Sequence, residues 1–476
     1  MPGGVAQLIA FGAADQYIMG NPDFSYFRMV YRKHTNFSME GIGLSFNNKP
    51  MLDYETSGTY TCNIGRNADM VKDIYLTFVL PSIYSNDTHR FQWIKNIGNY
   101  IIKRTWVSVD NQVIDMQYGE WMDVWNELTM DASKRLTYDR MIGNVYEFTS
   151  PRALADYAII TNNNLTYSYY PVGTDDAPSI PSRRFYIPLK FWFTKNSSVA
   201  LPLIALQYQT VVLNIEFRPI RELYQVFDRT LARYVSPTYF MQRHYAYDDP
   251  LVVEDTVYKG DVRIGRFLVP PSQTGTSRVI DINATVEANY VYLDTPERTL
   301  LASQTQIDYL VEQVYQSFND GIVKNRVLDL VLHNPCKEMV WITRRSDVIN
   351  YNDWNNYSNR HPYDYNYPTL YNAKIMFNGL DRIEYKSNAY FNLIQPYQHH
   401  TNSPTEGVYV YSFALYPEKS APSGSCNMSM IQNVQMAVTM NDMEPGYDYE
   451  YELTLYTLSY NIFRIMSGTG AMVFAN

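Results

Sequence analysis

The sequence predicts an all-β protein built from two similar β domains. Many segments are rich in β-branched and aromatic residues that alternate with polar ones, the period-two pattern of a strand with one covered face. The composition agrees, because 44 tyrosines and only 18% charged residues suit half-buried sheets and interfaces with partners. The order of segments also repeats between the two halves, and 476 residues allow two β domains of above about 200 residues each.

The first half contains four strand candidates and one helix. The strand candidates are 72–80, 101–109, 185–193 and 206–217. A helix is predicted after Gly119, because helical spacing places four apolar side chains on one face: Trp121, Val124, Trp125 and Leu128.

The second half begins with a helix and continues with strands. Thr295-Pro296-Glu297 is a typical helix start, with a capping residue, a proline in the first turn and an early acid. How far this helix extends is open, because 309–314 fits a strand equally well. Clearer strand candidates are 337–343, 408–415, 430–440 and 449–462. In the last one the apolar phase flips after Tyr456, which predicts a β-bulge near Tyr456-Thr457.

The repeated order suggests how the chain divides. Candidates 185–193 and 206–217, with a polar turn between them, correspond to 408–415 and 430–440 with a similar spacer. We therefore predict four parts, namely an arm at 1–25, a first domain at 26–218, a connector at 219–250 and a second domain at 251–476. Segments 149–184 and 347–372 are predicted to be long surface loops, since the second is dense in Asn, Asp, Tyr and Pro.

Charge and cysteine content exclude several classes of protein. The formal net charge is −9, and the richest basic stretch, 28–33, is short, so direct binding to nucleic acid is not expected. Cys62, Cys336 and Cys426 do not form a disulfide framework, which favours a reducing compartment. No run of 18 or more apolar residues is present, so no membrane-spanning helix is expected.

Three clusters are candidates for a site of chemistry. His399 and His400 are adjacent, and on a strand they would point to opposite faces and could not share a metal. The segment Ser467-Gly468-Thr469-Gly470 is better explained as a flexible tail than as a phosphate cradle. The acidic residues around the turn Pro445-Gly446 are better explained as the solvated face of a strand than as a calcium site; they are Asp442, Glu444, Asp448, Glu450 and Glu452. We therefore predict no catalytic, cofactor-binding or metal-binding residues and no enzymatic activity.

Distinctive motifs run in order from Gly3 to Gly468. They lie at 3–17, 20–22, 26–37, 203–217, 292–298, 377–382, 390–401, 407–415, 422–427 and 460–468. In content and order they resemble the major capsid proteins of nucleo-cytoplasmic large DNA viruses. Within this resemblance 203–217 looks like the strand that closes the first barrel, and the family branch looks nearest to algal and amoeba viruses.

The resemblance implies a fold and an assembly. Each chain would form two consecutive eight-stranded antiparallel jelly-roll barrels with short helices and long loops. Three chains would form a homotrimer whose six barrels make a pseudo-hexagonal capsomer. Capsomers would tile an icosahedral virion shell, assembled in the host cytoplasm, and the arm would face minor capsid proteins and an internal membrane. Stretches such as 26–37 and 395–401 would then be structural, serving turns, packing between barrels or trimer contacts.

Two other functions remain open from the sequence alone. Aromatic-rich β-sandwiches also include carbohydrate-binding proteins and glycosidases, although no pair of carboxylates stands out for glycoside hydrolysis. A minor shell or vertex protein is disfavoured, because the β pattern is doubled and a five-fold vertex unit usually has one barrel per chain.

Overall fold

The computed structural model describes residues 3–13, 15–23, 25–26, 31, 33–85, 89–149, 178–245, 262–270 and 273–474. The basic stretch 28–33 lies mostly outside the described residues, as does most of the predicted loop 149–184.

The first eight main strands, numbered without the short strands given below, form a sandwich of two antiparallel sheets. They are β1 (Phe37–Leu44), β2 (Gly58–Ile64), β3 (Met70–Leu80), β4 (Ile102–Val109), β5 (Gln112–Tyr118), β6 (Arg183–Pro188), β7 (Val211–Phe217) and β8 (Thr285–Leu293). One sheet has the order β1-β8-β3-β6, and the other has the order β2-β7-β4-β5.

The next eight strands form a second sandwich. They are β9 (Gln306–Ile322), β10 (Asn325–Leu330), β11 (Pro335–Arg345), β12 (Leu370–Phe377), β13 (Leu380–Ser387), β14 (Val408–Ser412), β15 (Val434–Met440) and β16 (Tyr451–Met466). The sheet orders are β9-β16-β11-β14 and β10-β15-β12-β13. Each strand therefore occupies the position of the strand eight places earlier, and the prediction of two consecutive eight-stranded jelly rolls is confirmed.

Short elements fill the connections between these strands. The helices are Gly3–Ile9, Asp15–Met19, Ile97–Tyr100, Gly119–Thr129, Ala132–Ile142, Tyr146–Thr149, Trp192–Lys195, Pro237–Tyr245, Ile264–Phe267, Thr295–Ser303 and Gln395–His399, with a π-helix at Tyr390–Ile394 and 3-10 turns at Ser197–Val199, Ile220–Glu222, Ser346–Asn350 and Met428–Met430. The minor strands are Met51–Asp53, Phe91–Trp93, Leu201–Pro202, Tyr224–Asp228, Arg233–Val235, Val279–Asp281, Cys426–Asn427 and Thr469–Met472. The predicted helix start at Thr295 is confirmed, although the capping side chain is Asp294.

The division of the chain predicted from sequence is wrong at one strand. The predicted boundaries place β8 (Thr285–Leu293) in the second domain, but it pairs with β1 and β3 and closes the first jelly roll. The segment 203–217, which resembles the family's closing strand, contains β7. This is the seventh of the eight main strands of the first jelly roll, so it does not close it. The repeat itself is correct, since β6 and β7 occupy the positions of β14 and β15.

The connector predicted at 219–250 is largely part of the first jelly roll. Its strand Tyr224–Asp228 pairs with Phe91–Trp93 and with Arg233–Val235. The side chains of Tyr224, Val226 and Phe240 join the first hydrophobic core. Its missing period-two pattern therefore reflects short strands and turns that are covered by protein.

The predicted bulge at Tyr456-Thr457 is absent, and β16 runs unbroken from Tyr451 to Met466. The apolar phase flips because both faces of this strand are covered. Leu453 and Leu455 enter the core of the second jelly roll, whereas Tyr456 and Leu458 pack against the helix Gly119–Thr129 of the first half. This helix therefore lies at the interface between the two jelly rolls.

Candidate functional site: the interface between the two jelly rolls

A buried helix is the centre of the interface between the two jelly rolls. Helix Gly119–Thr129 has the apolar face predicted from sequence, and the rings of Trp121 and Trp125 stack with centroids 5.2 Å apart. That face packs on side chains from the second half, which are Val314, Val340, Ile342, Tyr357, Val408, Val410, Tyr456 and Leu458. The helix therefore joins the jelly rolls through a continuous apolar contact.

A buried ion-pair network crosses the same interface. Glu120 accepts hydrogen bonds from Arg344 Nη1 and from the Tyr456 hydroxyl, each at 2.7 Å, and Arg344 Nε donates to Glu452 at 3.1 Å. The Arg344 side chain is only 15% exposed and that of Glu120 only 7%. Burial lowers the pKa of Arg344, but Glu120 and Glu452 outweigh this effect and raise it. The network therefore pairs the Arg344 guanidinium of the second half with the Glu120 carboxylate of the first half.

Asp123 on the same helix is a second polar junction. Its carboxylate accepts hydrogen bonds from the side-chain amides of Asn96 at 2.8 Å, Asn99 at 3.0 Å and Asn355 at 2.6 Å. Burial raises the pKa of Asp123 to about 7, and the charge of Glu127 adds to the shift. Asn355 belongs to the second half, so this carboxylate is shared between the jelly rolls.

The long loop predicted at 347–372 is a surface loop only in part, because 351–359 are mostly buried whereas Tyr365 and Tyr367 are exposed. Tyr351 and Trp354 are buried in the first hydrophobic core, and Trp354 Nε1 donates to the Glu222 carbonyl at 2.9 Å. Asn352 Nδ2 donates to the Tyr224 carbonyl at 2.8 Å. Asn352 and Trp354 satisfy backbone carbonyls of the first half, which is why this irregular part of the loop can be buried.

A second charge cluster joins a first-half helix to strands β9 and β11 of the second jelly roll. Lys195, at the end of a first-half helix, and Lys337 in β11 both donate to the carboxylate of Glu312 in β9. Burial opposes ionisation of Glu312, but the two ammonium groups outweigh it and lower its pKa. The Lys195 ammonium also lies 5.4 Å from the Trp125 ring centroid.

The prediction about His399 and His400 assumed that they lie on a strand, and the structure differs. The segment is helical rather than a strand. His400 is fully buried and bonds Glu338 at 3.0 Å and Glu418 at 3.1 Å. Burial lowers the pKa of His400, but the two carboxylates outweigh it and raise it to about 9. Within the part of the chain that the structure describes, no three His, Cys, Asp or Glu side chains are grouped to hold a metal ion.

His400, in the segment 395–401, and the residues that follow it contact the first half. The ring of His400 meets that of Trp125 edge-on, with centroids 6.1 Å apart. Next along the chain, the Asn402 N–H donates to the Leu128 carbonyl at 3.0 Å, and the Thr405 hydroxyl donates to Glu127 at 2.9 Å.

Two other predictions from sequence need correction. Of the five acids predicted on a solvated face, Asp442, Asp448 and Glu450 are exposed. Glu444 instead pairs with Arg345 at 2.7 Å and Arg360 at 2.6 Å, and Glu452 joins the Arg344 network. The carboxyl-terminal segment predicted as a flexible tail is a hairpin. It turns at Ser467 and Gly468, both with positive φ, and returns as Thr469–Met472 beside β16.

The sequence did not predict the interface residues Glu120, Asp123, Asn355 and Arg344, nor the cluster around Glu312. Glu120 and Asp123 lie beside the tryptophans of the predicted helix, so a helix carrying acids among large apolar residues was the available signal. Arg344 and Asn355 gave no local signal, because their partners on the buried helix, Glu120 and Asp123, lie more than 200 positions away in sequence.

Large apolar side chains also remain exposed on the second jelly roll. They include Tyr371, Leu380, Tyr385, Leu393, Tyr397, Leu415, Tyr416 and Met430. The edge strand β13 is mostly exposed along its length. Contiguous exposed apolar residues commonly mark surfaces that contact other proteins.

Gly407, just before β14, provides a test of how tightly this part of the chain packs against Tyr357. Its φ is +97°, and a Cβ atom there would lie 2.3 Å from the Tyr357 Cβ and 2.5 Å from the Tyr357 carbonyl oxygen. We expect Gly407→Ala to lower the free energy of unfolding by roughly 2–5 kcal/mol, from backbone strain plus overpacking, measured by urea denaturation.

Gly446 is the matched control for this substitution. Its φ is +85°, but a Cβ atom there would meet nothing within 4 Å, so Gly446→Ala should cost only about 1–2 kcal/mol of left-handed backbone strain. Equal effects of the two substitutions would show that the contact between Gly407 and Tyr357 is not tightly packed.

Comparison with known proteins gives matches along the whole chain. The family model described as "Major capsid protein N-terminus" matches residues 25–252, and "Large eukaryotic DNA virus major capsid protein" matches residues 297–471. The major capsid protein of Pyramimonas orientalis virus is 31% identical, with 100% of both chains covered. Probable capsid protein 4 of Acanthamoeba polyphaga mimivirus is 28% identical, with 100% of this chain and 99% of that protein covered.

Solved structures share the fold. The Faustovirus major capsid protein aligns with a TM-score of 0.68 at 12% identity, covering 98% of this chain and 96% of its own. The crystal structure of PBCV-1 VP54 aligns with a TM-score of 0.66 at 24% identity, covering 95% and 100%. The matched proteins are structural components of capsids, and this chain is likewise not an enzyme. The chain belongs to the family of major capsid proteins of large eukaryotic DNA viruses.

Proposed function

We propose that three copies of this chain associate into a pseudo-hexagonal capsomer that tiles an icosahedral virion shell. The observation that carries the proposal is the pairing of two jelly rolls with identical strand order in one chain. A homotrimer of such chains presents six similar lobes, so it fits a position with six neighbours.

The interface inside each chain supports this assembly. A repeating shell needs subunits whose two lobes keep one relative orientation. Here the lobes share a buried helix, the Arg344 network and the Asp123 junction. A permanent trimer of this size would bury several thousand Å² in total, about the range of obligate interfaces. Individually weak contacts between capsomers act together when they are repeated many times.

The amino-terminal arm is proposed to face the inside of the shell, toward minor capsid proteins and an internal membrane. Its helices Gly3–Ile9 and Asp15–Met19 expose apolar side chains, with Leu8 82% and Ile18 81% exposed. In the described parts of the chain no helix has the length and apolar character needed to cross a membrane. Assembly in the host cytoplasm, without direct contact with nucleic acid, completes the proposal.

We also propose a revised division of the chain. The first jelly roll extends from β1 to the end of β8 at Leu293, and the second extends from β9 at Gln306 to β16 at Met466. Helix Thr295–Ser303 then links the two jelly rolls.

The experiment is to measure the mass and shape of the purified protein. Sedimentation equilibrium should give three times the chain mass of 55.5 kDa, and negative-stain images should show hexagonal particles. A stable monomer would contradict the proposal. Binding or cleavage of glycans by such a monomer would favour a carbohydrate-binding sandwich instead.

A further inference from the structure

Two of the three cysteines lie opposite each other on neighbouring strands. Cys336 in β11 is directly paired with Cys426 in the short antiparallel strand Cys426–Asn427. Both side chains face the core of the second jelly roll, where Cys336 is fully buried and Cys426 is partly exposed. Cys62 lies in the core of the first jelly roll, so it has neither of these thiols as a neighbour.

The strand register gives a separation that suits a disulfide. The Met428 N–H donates to the Asn334 carbonyl at 3.1 Å, so Asn334 and Met428 form a hydrogen-bonded pair. Cys336 and Cys426 are two positions further along the same ladder and therefore occupy a pair of the same kind. The Cα atoms of such a pair are typically about 5.5 Å apart, inside the window of about 4.4–6.8 Å for disulfides.

We propose that Cys336 and Cys426 form an oxidisable dithiol that closes to an intrachain disulfide when the protein leaves a reducing environment. The oxidant is a low-molecular-weight disulfide such as oxidised glutathione. The Cys426 thiolate attacks it, forming a mixed disulfide and releasing one glutathione thiolate. The Cys336 thiolate then attacks the sulfur of Cys426 and releases the second. The two cysteine protons end on two glutathione thiols, so one disulfide is reduced as one is formed.

The chemistry of the site makes this reaction slow and reversible. Burial raises the pKa of both thiols, most strongly that of Cys336, so few thiolates are present at neutral pH. In a hydrogen-bonded pair the opposed Cβ atoms lie near the wide end of about 4.5–5.5 Å, roughly 1 Å beyond the 3.5–4.5 Å of a relaxed disulfide. The resulting strain makes the bond easier to reduce, so a reducing cytosol would keep the thiols free.

Closing this bond would fasten a long connection to the sheet. Residues 413–425 join β14 to the strand of Cys426, and this strand has only two residues. The same connection carries Glu418, the partner of His400, and the Lys419 carbonyl, which accepts from Lys337 at 3.1 Å. Oxidation would therefore stabilise a segment that covers buried charges of the second jelly roll.

The experiment oxidises the native protein and maps its disulfides. Reduced protein is incubated for hours with oxidised glutathione at neutral pH, blocked with an alkylating agent and digested for mass spectrometry. The expected product is a cross-linked peptide pair containing Cys336 and Cys426, two hydrogen atoms lighter than the sum of the reduced peptides. Hydrogen exchange at the Met428 amide should then slow roughly tenfold, because the short strand opens less often.

Two variants and one control decide the outcome. Cys426→Ser, at a partly exposed position, should abolish the cross-link, whereas Cys62→Ser should leave it intact. The same oxidation in denaturant shows that the chain can form the bond and that the peptides are detectable. Native protein that carries only a glutathione adduct on Cys426, or no modification, would overturn the proposal. A cross-link between chains, or one involving Cys62, would overturn it equally.

Discussion

Replacing Arg344 by methionine is expected to lower the free energy of unfolding by about 3–5 kcal/mol, the usual effect of removing one partner of a buried ion pair. The substitution leaves Glu120 facing the Tyr456 hydroxyl without its cation, and it also removes the bond to Glu452. Urea denaturation of the purified protein measures the change. Because the lost contact joins the two jelly rolls, the transition should also become less cooperative.

Arg464→Met is the matched control for this prediction. Arg464 makes a two-pronged ion pair with Asp308 at 2.8 and 2.9 Å, but both side chains are well exposed, at 40% and 38%. Its removal should change stability little, because exposed ion pairs are screened by solvent.

The double variant Arg344→Met/Glu120→Gln should regain part of the stability lost in Arg344→Met, because it no longer buries an unpaired carboxylate. Equal losses in Arg344→Met and Arg464→Met would contradict the buried network.

His400 is expected to make stability fall in mildly alkaline solution. Its pKa is raised from 6.5 to about 9, so the folded state binds the proton more tightly than the unfolded state does. Its contribution is therefore fully present below pH 6.5 and is lost as pH rises through about 9. The shift corresponds to roughly 3 kcal/mol, at about 1.4 kcal/mol for each pKa unit.

The measurement compares the pH dependence of unfolding for the native protein and two variants. His400→Gln removes the titrating group, so the stability difference from the native protein should be largest near about pH 6 and shrink toward about pH 9.5. His399→Gln changes the neighbouring residue, whose ring nitrogen bonds the Leu415 carbonyl at 3.1 Å, and keeps His400 between its two carboxylates, so the slope that His400 causes should remain. A constant difference for His400→Gln across this range would show that His400 is not protonated between its carboxylates.

Much of the fold follows from local pattern. Period-two alternation and β-branched composition located strands such as β3, β7 and β15, and helical spacing located helix Gly119–Thr129. The repeat of β6 and β7 as β14 and β15 was also visible, because each pair is separated by a polar connection. The motifs that run from Gly3 to Gly468 pointed to the family that the comparisons then showed.

Two of the errors occurred where a segment is covered by a distant part of the chain. β16 lost its alternation because its second face packs on a first-half helix, and the change of phase resembled a bulge. Loop 347–372 has the composition of a surface loop, yet Tyr351 and Trp354 insert into the other jelly roll. Turn-forming residues predict an irregular backbone, but they do not determine whether that backbone is exposed.

The sequence by itself determined that this protein is an all-β chain with two related halves and the motifs of its capsid family. Only the tertiary structure decided that β8 closes the first jelly roll and that Arg344 meets Glu120 between the two halves. The physical reason is the range of each signal. The alternation of apolar and polar residues is a local signal. Over a few residues it shows which face of a strand is covered. The identity of the covering partner depends on contacts between distant residues, such as Glu120 and Tyr456, which are 336 positions apart.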